Sequence, residues 1–266
     1  MEDKFFEEKI AIIKLRGERA EQQDIHASRE SIIKGIKRSV YAVADGRGPK
    51  GEKAAAFAVK AAVNDLSAEP RLDAPAIREQ FLLIHDAVSK LADKSGTTLS
   101  VAIVEDHKLT TAFVGDSEVW ILKDGELRRR TAPHRYGEHK KETARLERTA
   151  ANIRGGYLIA NISSPNVSDE APAKIKLTRA LGNEEFDPYL SHEPEIETVK
   201  LTGGEKFLLI GTNGFWDAAT LNSKSHHAVE HALVASETAE EARKKISSIL
   251  SRRNIPDNAT VMIIKL

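Results

Sequence analysis

The chain has 266 residues, with 40 Lys and Arg against 40 Asp and Glu, and no cysteine. A chain of this length can bury a large apolar core without covalent staples, and the lack of cysteine excludes disulfides, thiolate metal sites and cysteine nucleophiles. Balanced charge argues against a nucleic-acid partner, whose electrostatic footprint is a basic excess or stripe.

In chain order, Met-Glu-Asp-Lys-Phe-Phe-Glu-Glu at the N-terminus is too acidic for a signal or transit peptide. Ser39 to Ala44 reads as a buried strand ending at Asp45-Gly46. Glu52 to Leu66 is Ala-rich with helical spacing, and Ala74 to Leu91 sets Ile77, Phe81, Ile84, Val88 and Leu91 along one helix face. Thr97 to Val104, Leu109 to Val114 and Val119 to Leu122 are β-branched and apolar, with Asp106-His-Lys108 and Lys123-Asp-Gly125 as hairpin connectors. Arg128-Arg-Arg130 is a solvated strand edge.

Tyr136 to Ile153 is charged and helix-permissive, stopped by Gly155-Gly156. The Ser, Pro, Asn and Asp residues of 161–194 predict a surface flap, with Ser163-Ser164-Pro165 inside it. Ile196 to Leu201 and Lys206 to Ile210 are expected to pair as a hairpin across Gly203-Gly204. Phe207 to Asp217 starts as an apolar strand and breaks at Asn213-Gly214. Helices are expected at Ala228–Ala235 and Ala239–Leu250, and a last strand at Thr260–Leu266. Strands and helices cluster rather than alternate, which predicts an α+β fold: an antiparallel β-sandwich flanked by helix pairs. One domain over residues 1–266 is expected, because nothing marks a linker. No apolar run approaches the roughly 20 residues of a membrane span. A monomeric cytoplasmic or nuclear protein without membrane contact is the expectation.

Asp45, Asp116 and Asp257 each stand at a tight turn where a hydrophobic strand ends or begins. Carboxylates held at strand ends and converging on one rim favour a hard, oxygen-seeking cation such as Mg²⁺ or Mn²⁺. His134, His139 and His192 show no regular ligand spacing, and Trp120 and Trp216 read as core.

Blocks around these acids carry a resemblance. Arg19-Ala-Glu-Gln-Gln-Asp24, Val43-Ala-Asp-Gly-Arg-Gly48, Ser95-Gly-Thr-Thr98 with Phe113-Val-Gly-Asp-Ser117, Leu177-Thr-Arg-Ala-Leu-Gly182, Gly211-Thr-Asn-Gly-Phe-Trp-Asp217 and Asp257-Asn-Ala-Thr260 follow one another in order. This succession resembles the metal-dependent protein phosphatases, the PPM or type 2C Ser/Thr family. The resemblance implies that Asp45 bridges two metals, that the Gly46 carbonyl helps bind one of them, and that Asp257 and position 213 complete the second metal's shell. It implies a third, weaker metal site at Asp116. Arg19 would hold the substrate phosphate and Asp24 would contact metal-bound water.

This chain departs from that pattern in ways that bear on charge. Asn213 stands where the family has a metal-binding aspartate. Its amide oxygen can ligate but brings no negative charge to offset two neighbouring dications. Arg47 replaces the histidine of the Asp-Gly-His-Gly block, and a guanidinium cannot donate a proton as an acid. Gln23, Glu118 and Asn183 also differ from the family's residues. Two readings follow: an attenuated or inactive homologue that binds a phosphoprotein or kinase partner, and a working Mn²⁺- or Mg²⁺-dependent Ser/Thr phosphatase. A turn role for Asn213 is the competing structural explanation, because Asn tolerates left-handed backbone. Asn-Gly also favours deamidation, which would create an aspartate there.

Overall fold

A computed structural model describes residues 9–91, 94–160, 173–220 and 222–266. Its strands are β1 (Ile10–Leu15), β2 (Asp24–Ile33), β3 (Ile36–Arg47), β4 (Gly96–Thr97), β5 (Leu99–Glu105), β6 (Lys108–Val114), β7 (Glu118–Lys123) and β8 (Glu126–Arg129). They continue with β9 (Ile153–Arg154), β10 (Tyr157–Ile159), β11 (Lys174–Ile175), β12 (Leu181–Gly182), β13 (Glu195–Lys200), β14 (Glu205–Gly211) and β15 (Ala259–Lys265). The helices are α1 (Gly51–Ala68), α2 (Ala74–Leu91), α3 (Lys140–Glu147), α4 (Asn213–Ala219), α5 (Ser223–Val234) and α6 (Ala239–Leu250).

Two antiparallel sheets pack face to face. One has the order β1-β15-β14-β7-β8; the other runs β12-β4-β3-β5-β6-β13, with β2 paired to β3. Alternation along β3 explains the layering. Tyr41 and Val43 face the other sheet, where they meet Val119, Ile121, Leu208, Ile210 and Met262. Val40, Ala42 and Ala44 face outward onto α1 and α2. Successive side chains of a strand point to opposite faces, so a strand covered on both sides is apolar throughout. The alanines of α1 at 54, 55, 58 and 62 let that helix lie close on the sheet. On the opposite side, α4, α5 and α6 cover the first sheet with Phe215, Trp216, Leu233 and Ile246. The result is a helix–sheet–sheet–helix sandwich, as the α+β expectation required.

Several local expectations are corrected. β13 and β14 are not a hairpin: β13 pairs with β6 and β14 with β15 and β7, so the Gly203-Gly204 turn crosses between sheets. Alternation marks a strand but does not say which neighbour it will pair with. The helix expected over 136–153 shrinks to α3, because Gly137 at φ 84° breaks its front and His139 caps it. Leu91 is 46% exposed, outside the buried face of α2. Part of the expected flap, residues 161–172 with Ser163-Ser164-Pro165, lies outside the described residues. In residues 173–194, Ile175, Leu177, Ala180, Phe186 and Leu190 are buried in a small cluster with Leu158 of β10. The connectors at Asp106-His107 and Asp124-Gly125 have positive φ at both positions, as tight hairpin turns require.

Candidate metal and phosphate site

The acidic residues of the sequence blocks reach one rim of the sandwich, at the ends of four strands. Arg19 comes from the β1–β2 loop, Asp24 starts β2, Asp45 and Gly46 end β3, and Asp116 follows β6. Asn213 opens α4, and Asp257 precedes β15. Arg19, Asp45, Asp116, Asn213 and Asp257 line one cavity of about 270 Å³. Gly46 lines an adjoining pocket that shares Arg19, Asp45 and Asp257. Asp24 lies directly opposite Asp45 in the β2–β3 register and is fully buried, and it is not among the residues that line either pocket.

The remaining motif residues hold this rim in place. The Asp45 amide donates to Thr98 Oγ1 at 2.9 Å, the Thr98 amide donates to the Asp45 carbonyl at 3.0 Å, and Thr98 Oγ1 lies 2.8 Å from Ser117 Oγ. One chain of hydrogen bonds thus joins the Asp45 corner to the Asp116 turn. Asn258 fastens the Arg19 loop: its Nδ2 donates to the Arg16 and Glu21 carbonyls at 2.7 and 2.9 Å, and its Oδ1 accepts from the Gln23 amide at 2.8 Å. Gly46 is required by close approach, since a Cβ there would lie 2.2 Å from the Gly51 carbonyl oxygen at the start of α1.

Crowded negative charge dominates the electrostatics. Burial, and then the fields of Asp24, Asp116 and Asp257, push the Asp45 carboxyl well above its ordinary value. Burial pushes Asp24 up to about 6, against the pull of the Thr260 and Thr212 hydroxyls. Carboxylates that raise one another in this way take up protons or a cation. Thr212 Oγ1 donates to Asp24 Oδ2 at 2.9 Å, while Asp24 Oδ1 is buried with no hydrogen-bond partner. Asn213 Oδ1 is likewise buried and without a partner. Buried polar atoms are normally satisfied, and a carboxylate or amide oxygen left without a donor suits a hard cation or its water. The oxygen-only donor set therefore fits Mg²⁺ or Mn²⁺.

Two arginines already answer part of this charge. Arg19 forms a two-pronged pair with Asp257, at 2.8 Å from Nε and 3.0 Å from an η nitrogen. Its side chain is 61% exposed, and exposed pairs are worth about 0–1 kcal/mol. The pair with Asp257 therefore holds Arg19 only weakly. Arg135, which the sequence did not flag, donates to Asp116 Oδ2 at 2.7 Å and lines the same cavity.

A second constellation was also missed. Nitrogens of His134 and His139 and an oxygen of Glu195 lie within 4.8 Å of one another, a grouping that could hold a metal ion. The tautomers oppose that. The Gly115 amide donates to His134 Nδ1 at 3.1 Å, and the Glu142 amide donates to His139 Nδ1 at 3.4 Å. A neutral ring that accepts at Nδ1 carries its proton on Nε2. Burial keeps His134 below its usual value, hence neutral. His139 Nε2 lies 3.3 Å from Glu195 Oε2, while the buried His134 Nε2 faces the same oxygen at 3.6 Å without a hydrogen bond. With Glu195 34% exposed, the cluster works as a partly buried brace between α3, β13 and the Asp116 turn. Fold contacts, not sequence spacing, bring these residues together.

Asn213 is not in a turn. It is the first residue of α4 and is absent from the positive-φ residues, whereas Asn183, also on the cavity wall, has φ 56°. Backbone geometry accounts for an asparagine at 183 and leaves the one at 213 unexplained. Gly214 is packed so tightly that a Cβ would lie 2.0 Å from the Asn258 carbonyl oxygen. Succinimide formation needs the Gly214 nitrogen to swing onto the Asn213 side chain, which the helix start and this packing oppose. The folded chain at neutral pH is therefore expected to deamidate at Asn213 more slowly than the chain in denaturant, measured by peptide mapping over time. Equal rates would show that the helix start gives no protection.

Known proteins resemble this chain in sequence and in fold. The family model described as protein phosphatase 2C matches residues 8–257. Protein phosphatase 1F of Mus musculus is 27% identical over 97% of this chain, and that of Homo sapiens 26% over the same share. The chain spans 57% of the length of each of these two relatives. Among solved structures, a serine-threonine phosphatase 2C from Toxoplasma gondii superposes with a TM-score of 0.73 at 18% identity, covering 96% of this chain and 94% of that one. A C. elegans sex determining protein superposes with a TM-score of 0.72 at 22% identity, covering 97% and 64%. With residues 8–257 of the 266 matched by that family model, the chain belongs to the protein phosphatase 2C family, whose members are metal-dependent.

Proposed function

We propose that this chain is a phosphatase 2C-type protein with a weakened divalent-cation site, which acts mainly by binding phosphoserine or phosphothreonine on a protein partner, a kinase or its substrate, and hydrolyses it slowly. Asp45, the Gly46 carbonyl, Asp257 and Asn213 Oδ1 would hold Mn²⁺ or Mg²⁺, with Asp24 reaching metal-bound water. When bound, such cations lower the pKa of a water and neutralise the transferring phosphoryl group. The chain's own groups do the rest. Arg19 exchanges Asp257 for the phosphate. Arg47, exposed on the cavity wall, adds positive charge but no transferable proton.

The observation that carries this reading is Asn213 Oδ1, an unpartnered neutral oxygen in the wall that holds Asp45 and Asp257. Hydrolysis of p-nitrophenyl phosphate with millimolar Mn²⁺, native chain beside Asn213→Asp, tests it. Little native turnover and a clear gain in the variant are expected. The active-phosphatase reading draws support from the retained Asp24, Asp45 and Asp257 and from the weak hold on Arg19. Strong native turnover, unchanged by the substitution, would select it.

A further inference from the structure

The Asp116 corner of the cavity holds a cation that belongs to the chain itself. Arg135 Nε lies 2.7 Å from Asp116 Oδ2, and its η nitrogens are 3.7 Å from Glu138 Oε1 and Asp217 Oδ2. The two paired side chains are only 17% and 9% exposed. We propose that Arg135 is the permanent counter-cation of Asp116 and stands in place of a third divalent ion, so that Asp116 takes no metal in this protein. The proposal rests on reading the cavity as a cation site.

Backbone placement distinguishes this pair from a side chain that merely swung inward. The His134 amide donates to the Gly115 carbonyl at 2.9 Å, and the Gly115 amide returns a bond to the His134 ring at 3.1 Å. The Thr178 amide donates to the His134 carbonyl at 2.8 Å, and Arg135 itself bridges to Leu177. The residue before Arg135 is thus fastened directly to the residue before Asp116. His134 is fully buried and stacks on Phe113, with ring centroids 4.5 Å apart. Arg19 shows the contrast: the same kind of pair, on a loop, with its side chain 61% exposed.

Charge and affinity point the same way. A guanidinium stays charged across the accessible pH range. A free Mn²⁺ would have to displace a tethered, charge-assisted bond to gain a corner whose carboxylate is already shared. Mg²⁺-type ions held by one or two carboxylates otherwise rely on waters and substrate phosphates, so the entering ion starts at a disadvantage.

Mn²⁺ stoichiometry by titration calorimetry, repeated by electron paramagnetic resonance of free Mn²⁺, tests the idea without reference to turnover. Native chain and Asp116→Asn are expected to bind the same number of ions. Arg135→Gln is expected to bind one more, and the double variant with Asp116→Asn to lose it again. Arg135→Lys, which keeps the charge, is expected to stay at the native number. Loss of one ion in Asp116→Asn alone, or no gain in a folded Arg135→Gln, overturns the proposal. If circular dichroism shows Arg135→Gln unfolded, the native and Asp116→Asn pair decides. If no variant binds Mn²⁺, Asn213→Asp included, the reading of the cavity itself fails, and the proposal with it.

Discussion

Asn213→Asp is expected to raise Mn²⁺-dependent hydrolysis of p-nitrophenyl phosphate by roughly tenfold to a hundredfold, and to tighten Mn²⁺ binding in parallel. A unit charge about 4 Å from a dication gains roughly 8 kcal/mol at an effective dielectric of 20. Moving a carboxylate into a half-buried wall returns several kcal/mol of that. A net of about 1.5–3 kcal/mol corresponds to the stated factor. The backbone needs no adjustment, because position 213 is an ordinary first residue of a helix and aspartate is favourable there. Asn213→Ala serves as the control: it removes the oxygen without adding charge, and turnover should fall to or below the native rate. Equal rates in all three proteins would show that position 213 does not govern the cation.

Glu142→Gln is expected to destabilise the fold by about 3 kcal/mol at neutral pH, with a pH signature of its own. Glu142, in the first turn of α3, is 1% exposed and lies between two arginines. Arg179 donates to its Oε1 at 2.7 Å and Arg145 to its Oε2 at 2.9 Å. Burial alone would raise this carboxyl, but the bonds from Arg179 and Arg145 override it and hold it at about 2, against an ordinary 4.5. A depressed native value means that the unfolded chain binds the proton more readily. The stabilisation is then complete above about 4.5 and is lost as pH falls toward about 2. A shift of this size corresponds to about 3 kcal/mol, and removing one partner of a buried pair typically costs about 3–5 kcal/mol. Urea unfolding of native and variant at pH 7 and pH 3 should show the gap narrowing in acid. A gap independent of pH would assign the loss to packing. Arg145 also donates to the carbonyls of Thr178 and Tyr189, so the variant should loosen the segment that carries Leu177 and Ala180 to the cavity wall.

Residues with a local signature were the ones that could be read in advance. The α1 and α2 faces follow from a 3.6-residue period, and the Asp106-His107 and Asp124-Gly125 turns from their chemistry. β1 and β2 went unread although Ile10–Leu15 and Asp24–Ile33 form full strands. β2 mixes polar and apolar residues because it is half-exposed along most of its length. α4 was hidden because its first two residues, Asn213-Gly214, spell a turn. Gly214 is there for close packing on Asn258 rather than for a left-handed backbone.

By itself the sequence determined the sandwich class, the order of the motif blocks and the missing charge at position 213. Each is carried by neighbours along the chain or by the identity of one side chain. Tertiary structure alone decided which charges meet. Arg135 and Asp116 are 19 positions apart, Arg19 and Asp257 are 238 apart, and neither pairing leaves a periodic trace. The tautomers of His134 and His139 were fixed only when folding brought backbone amides to their Nδ1 atoms. Coulomb energy depends on separation in space, and separation in space is set by sheet register and loop closure.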